Sequence, residues 1–315
     1  MEGSLTYSAT SSGNKFYNLA KDLATINGKN EEVTTRDGHL HGYIVEVNAI
    51  ASAAGLLTFA TIPNTWKVRN AFRKFHFARE HMFEQAGVED SEKGKYGHTM
   101  RPYFSAEHRT DGDQTVQVYD IPSSGDAAFR SATGGEWTYS ALASQPTLDE
   151  SQLSKDLDLA LVDKWDIHVL GGSVESDVAD GVKTWTSVGM VASYNADRMA
   201  QIPDASSSSF PGSNIQPGNN PLAALRTQSL NTGEVLDIAK DQEEEKPPYD
   251  ITNDGDSVDA VIQHQAYMSA SGEAATRKLG TIFVPAGLLC VNTTASGVNG
   301  LNLKVIGKVL CKDLA

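Results

Sequence analysis

The chain has 315 residues, with 26 Lys and Arg against 40 Asp and Glu, a formal net charge of −14. That balance argues against a general nucleic-acid binder, because most of the surface would repel a polyanion. At 40% apolar and 21% charged residues the composition is that of a globular chain able to bury a core, and it excludes fibrous repeats and wholesale disorder.

The N-terminus, MEGSLTYSATSSGNKFYN, carries Glu2 and has no apolar core, so a secretory signal is not expected. Short runs with period-two alternation follow: His41 to Ile50, Gly55 to Ile62, Thr115 to Ile121 and Glu136 to Leu142. Lys164 to Leu170, Lys183 to Tyr194, Ile262 to Ser269, Leu279 to Val284 and Leu301 to Leu310 continue the series. Each reads as a strand buried on one face, and the turn-rich pieces between them point to a sandwich or barrel rather than βαβ units. The most apolar stretch, Ala49 to Ile62, is too short for a membrane span and is expected to be a buried strand pair.

One segment breaks the period. Residues 66–86 place Val68, Phe72, Phe75, Met82, Phe83 and Ala86 near one face at helical spacing, with Asn64 as N-cap and Gly87 as stop. Phe72, Phe75 and Phe83 are expected to be buried. Lys67, Arg69, Arg73, Lys74 and Arg79 all precede the first acid, Glu80. A solvated face is the ordinary fate of such a run; the sharper expectation makes Arg69, Arg73, Lys74 and Arg79 an assembly or inner surface. Residues 145–158 read as a linker, 203–221 as an exposed loop with four prolines, and 234–259 as an acidic loop.

Chemistry-bearing motifs are sparse. No phosphate-binding glycine loop and no nucleophile elbow occurs. His76 and His81 lie five apart, about 140° round a helix, so one zinc does not take both. His39 and His41 with Glu46 resemble the first metal motif of cupins; Gly280, Pro285, Gly287 and Asn292 sit as in the second, but Cys290 stands where a histidine belongs. Asp250, Thr252, Asp254 and Asp256 around Gly255 follow calcium-loop spacing until position twelve, which is Val261 instead of Glu. His39, His41, Asp254 and Asp256 are therefore secondary metal candidates, and no cofactor is expected. Cys290 and Cys311 have neither disulfide-framework nor zinc spacing.

Residues 63–88 (PNTWKVRNAFRKFHFAREHMFEQAGV) and 94–108 (GKYGHTMRPYFSAEH) resemble structural proteins of small icosahedral viruses, nearest in flavour to marine single-stranded DNA viruses and phages. The closing GTIFVPAGLLCVN and LNLKVIGKVLCKDL resemble the last strands of jelly-roll capsid proteins. The resemblance implies an all-β jelly-roll sandwich without catalytic residues. Its activity would be self-assembly into a virion shell after synthesis in host cytoplasm. The implied partners are other copies in trimeric capsomers, other virion proteins, and an internal membrane or genome touched through the basic helix, with no small-molecule substrate. The Arg-rich arm of many small capsid proteins is missing. A double roll, divided into 1–150 and 151–315, is the expected architecture, with a single roll carrying long insertions as the alternative. A cupin-like metal enzyme, a sugar-binding barrel and an adhesin-type β-domain are the competing classes.

Overall fold

A computed structural model describes residues 3–10, 12–51, 53–94, 97–120, 128–135, 137–144, 163–178, 182–199, 260–268, 275–294 and 298–312. The described chain is predominantly β with mainly antiparallel pairing. The 145–158 linker, the 203–221 loop and the acidic loop with Asp254 and Asp256 lie outside the described residues.

Eight strands from the two ends of the chain, joined at one margin by two short strands from between them, build two sheets. From the N-terminal part come β1 (Ser4–Thr10), β2 (Gly13–Asn18), β3 (His41–Ala51) and β4 (Gly55–Thr61). Between them and the C-terminal strands lie α2 (Trp66–Gln85), β5 (Tyr103–Ser105), α3 (Ala106–Asp111), β6 (Val116–Asp120), β7 (Ala128–Ser131), β8 (Ala141–Ser144), β9 (Asp163–Leu170), β10 (Val174–Val178), β11 (Val182–Gly189) and α4 (Met190–Met199); α1 (Leu19–Asn27) precedes β3. The C-terminal strands are β12 (Val261–Met268), β13 (Ala275–Pro285), β14 (Leu288–Thr293) and β15 (Val298–Leu310). One sheet has the order β13-β3-β15-β1-β6-β7, the second β12-β4-β14-β2, and a third, mixed sheet β10-β11-β9-β5 belongs to the insertion, with β8 also on β9.

Alternation sets the buried faces. In β3, Tyr43, Val45, Val47 and Ala49 are buried while Ile44, Glu46, Asn48 and Ile50 point the other way; in β4, Leu57 and Phe59 are buried. These faces share one apolar cluster with Leu301 and Leu303 of β15 and Leu289 and Val291 of β14. The chain passes between sheets through tight corners. Residues 52–54 separate β3 from β4, so the apolar Ala49 to Ile62 stretch is two strands in different sheets instead of a paired hairpin. At the other corner Gly287 N–H donates to Val284 O (3.3 Å), with Pro285 and left-handed Ala286 (φ 57°) as the central residues, turning β13 into β14.

Strands before Thr61 and after Val261 interleave in both of these sheets. Lys183 to Tyr194 is not one strand: β11 ends at Gly189 and α4 begins at Met190. A Cβ on Gly189 would stand 2.2 Å from Gly171 O, so the break is made where only glycine fits. In the expected strand Glu136 to Leu142, residues 137–140 are not strand and β8 begins at Ala141.

The helix expected over 66–86 is α2, capped by the Thr65 hydroxyl in place of Asn64, since Thr65 Oγ1 accepts from Val68 N (3.5 Å). Its end is the expected glycine stop. Gly87 (φ 72°) donates to Glu84 O and Val88 N to Phe83 O, the paired bonds of a Schellman cap. Val68, Ala71, Phe72, Phe75, His76 and Ala78 are buried, while Phe83 is only half-buried.

Candidate functional site

The metal candidates do not converge. His39 is exposed in the loop before β3 and its backbone bonds to Thr35; His41 opens β3, half-buried, its pKa lowered by burial and by Lys308. His41 and Glu46 are five apart on one strand and therefore face opposite sides of the sheet, and Glu46 is tied to Lys278. The expected His39–His41–Glu46 set is therefore not assembled. Among the described residues no group of three His, Cys, Asp or Glu could hold a metal ion. Cys290 and Cys311 are buried, and burial pushes both thiols up to about 12, which leaves them poor nucleophiles.

A buried cluster of titratable groups that no sequence motif marks centres on Asp113. Asp113, with its side chain 5% exposed, accepts from Lys21 Nζ (2.7 Å), from Tyr139 OH (2.6 and 2.7 Å) and from His108 Nε2. Asn18 Nδ2 donates to Tyr139 OH (2.8 Å), Tyr139 stacks on Tyr103, and His108 stacks on Phe16 of β2. Burial alone would raise Asp113, but the hydrogen bond from His108 and the charge and hydrogen bond of Lys21 outweigh it and hold the carboxyl at about 2. His108 Nδ1 accepts the Phe104 N–H (2.9 Å), which leaves Nε2 to donate to Asp113. Both ring nitrogens are thus committed, the ring is fully buried, and the nearest hydroxyl, that of Tyr139, is itself bonded to Asp113. The His–Asp pair ties the insertion to β2 through Phe16 and to α1 through Lys21.

Next to it Asp22 of α1 is buried and accepts from Tyr7 OH of β1. Burial, reinforced by the charge of Asp113, raises Asp22 to about 7, although the Tyr7 hydrogen bond and Lys21 pull the other way. The folded state therefore binds this proton more tightly than the unfolded chain, whose carboxyl titrates near 3.8. The Asp22 contribution is fully present below pH 4 and is lost as pH rises towards 7, with a slope of up to about 1.4 kcal/mol per pH unit. Urea unfolding of wild type and Asp22→Asn between pH 4.5 and 7.5 should show the difference between the two stabilities changing in the variant's favour as pH rises. A constant difference would refute the assignment.

The basic helix is placed differently from the expectation. Lys74 forms an ion pair with Asp197 of α4, Arg69 Nη1 binds Asn64 O (3.2 Å) and Oδ1 (3.0 Å), and Arg79 Nη1 binds Thr99 O (2.9 Å) and lies over the Phe83 ring. Of the four candidates only Arg73 is exposed. Packing of α4 on α2, with Trp66 edge-on to Tyr194, takes the side that the sequence had left to solvent. Arg73→Glu should change stability by less than about 0.5 kcal/mol, whereas Lys74→Glu, which sets a carboxylate against Asp197, should cost about 1 to 3 kcal/mol. Chemical denaturation of the two variants separates a free face from an internal tie.

A groove of about 480 Å³ runs between β15 and the segment after α1, where buried Glu31 accepts from Lys308 Nζ (2.5 Å) and Tyr43 OH (3.1 Å). Glu31 and Lys308 there pair with each other. Exposed apolar side chains gather at sheet margins instead: Tyr119 against Phe129 on β6 and β7, and Val261, Ile262 and Tyr267 on β12. Comparison with protein-family models, with curated proteins and with solved structures gave no match.

Proposed function

We propose that the chain is a capsid-type structural protein on a single jelly roll, whose function is self-assembly into an icosahedral virion shell. The observation that carries this reading is the pairing of the eight end-derived strands. The first pairs with the last (β1 with β15), the second with the seventh (β2 with β14), the third with the sixth (β3 with β13) and the fourth with the fifth (β4 with β12). That is one long antiparallel hairpin; the additional pairs β3–β15 and β4–β14 are what winding it into two sheets requires. Eight-stranded rolls of this kind serve capsid proteins, lectins and cupins. The capsid member is favoured because the His–Glu set does not assemble and the core between the sheets is filled with Tyr43, Val45, Phe59 and Leu289.

In this reading the region between β4 and β12 is a long insertion in one roll, and function lies in covering exposed sheet margins with other copies. Trimeric capsomers, contact with other virion proteins, and contact with an anionic inner layer through Arg73 belong to the proposal. Light scattering on a sizing column together with negative-stain electron microscopy tests it. Multiples of the 33.8 kDa chain mass and regular shells or capsomers are expected; a monomer at every concentration and salt would overturn the reading.

A further inference from the structure

The 66 charged residues implied by 26 plus 40 are unevenly placed. Three neighbouring strands, β12 (VIQHQAYM), β4 (GLLTFAT) and β14 (LLCVNT), hold none at all, whereas β13, β3 and β15 of the other sheet carry Arg277, Lys278, Glu46, Lys304 and Lys308. Burial does not explain the difference. On the outer side of the charge-free sheet Ile262 is 55% and Tyr267 67% exposed, and Leu56, Thr58 and Ala60 beside them are half-buried. At the other end of the same sheet the insertion covers Phe16 with His108, so among the described residues one half is roofed and the other is open. Depletion of charge with retained aromatic and aliphatic surface marks the centre of protein interfaces.

β12 also stands apart from the other margins of the two sheets. The free side of β2 is bridged by Asp113 and Gln114, β13 carries Arg277 and Lys278, and β7 is four residues long with Arg130. Charges and short length are how edges are kept from pairing. β12, eight residues long at the end of its sheet, has neither.

The register makes this edge complementary to itself. Gln265 lies opposite Thr58 of β4, Tyr267 opposite Leu56, and Ile262 opposite Ala60, because a bulge between Ile262 and His264 absorbs one residue. Ile262 and Tyr267 are therefore each two ladder positions from Gln265, on the same face. An antiparallel copy related by a two-fold axis at Gln265 sets Gln265 against its own mate and each Ile262 against a Tyr267, an aliphatic–aromatic cross-strand pair made twice. In a chain of net charge −14 this is a face on which two copies meet without opposing like charges.

We infer that β12 is a docking edge for a second copy of this chain, pairing antiparallel about Gln265 and joining two four-stranded sheets into one of eight. The inference rests on the self-assembly reading and names one of its contacts. Gln265→Cys in the full chain tests it: opposed residues of an antiparallel pair lie about 4.5 to 5.5 Å apart between Cα atoms, within disulfide reach. Mild oxidation should give an SDS-resistant dimer. Thr58→Cys, on the same face but roughly 14 Å from its mate at three strand spacings, should give none, and the native thiols are buried. The double variant Ile262→Lys with Tyr267→Lys should keep the wild-type circular dichroism and lose the species that light scattering sees as a dimer, halving its mass. If wild type assembles but Gln265→Cys does not cross-link, or the double Lys variant assembles as wild type does, the inference falls while the capsid reading stands. A cross-linked dimer with no larger particle sustains the inference and sinks the shell. Binding to neutral phosphatidylcholine vesicles without cross-linking overturns the inference.

Discussion

Asp113→Ala should lower the unfolding free energy by about 3 to 5 kcal/mol, the cost of breaking a buried ion pair from one side. Removing the carboxylate strands Lys21 Nζ, the Tyr139 hydroxyl and His108 Nε2 together, in a place where His108 is fully buried. Each orphaned donor then bears its desolvation cost without the bond that offset it. The same substitution unlocks β2 and α1 from the insertion, so limited proteolysis should find the α3 region earlier than in wild type. Asp113→Asn keeps the volume and one acceptor oxygen and should cost less than Asp113→Ala. Because Asp113 is held near 2, below the ordinary 3.8, its contribution is present above about pH 4 and lost as pH falls towards 2. Wild type and Asp113→Ala should therefore converge in stability under strong acid. Equal stability of the two at pH 7 would mean that the cluster contributes nothing.

Phe75→Ala should be as costly, at about 3 to 5 kcal/mol, through lost burial and the cavity left behind. Phe75 lies at 0% exposure on the buried stripe of α2 with Val68, Ala71, Phe72 and Ala78. Phe77, two residues on, is 52% exposed, and Phe77→Ala should change stability by less than about 0.5 kcal/mol. Urea midpoints of the pair measure the contrast directly. A similar effect of both substitutions would place α2 in the wrong rotation. Where Phe75→Ala fails to accumulate as soluble protein, Phe75→Leu, a smaller truncation, keeps the comparison measurable.

Much of the local structure was legible in the residues themselves. The strands His41 to Ile50 and Gly55 to Ile62 alternate so regularly that Tyr43, Val45, Leu57 and Phe59 can be assigned inward before any pairing is known, since side-chain direction on a strand is fixed by period two. The same holds for α2, where 3.6-residue spacing and Gly87 located its buried stripe and its end. The run through KTWTSVGMVASY misled because a short apolar stretch suits a strand and a buried helix equally. The strand ends at Gly189, where the Gly171 carbonyl leaves no room for a Cβ. The placement of Lys74 failed for a related reason, since the partner that claims it, Asp197, sits on the helix the sequence had hidden.

Sequence alone determined which faces are apolar, where one helix starts and stops, and which strands carry no charge. Only the tertiary structure decided that the first strand pairs with the last and the fourth with the fifth, because such pairing is set by complementarity between segments hundreds of residues apart, which no local period encodes. The Asp113 cluster is of the same kind, gathered from Asn18, Lys21, His108 and Tyr139, residues whose separate sequence contexts are unremarkable and whose meaning lies in sharing one buried carboxylate. So too with β12: VIQHQAYM announces a strand free of charge, but that it ends its sheet, and that a bulge sets Ile262 and Tyr267 evenly about Gln265, follows from its register on β4.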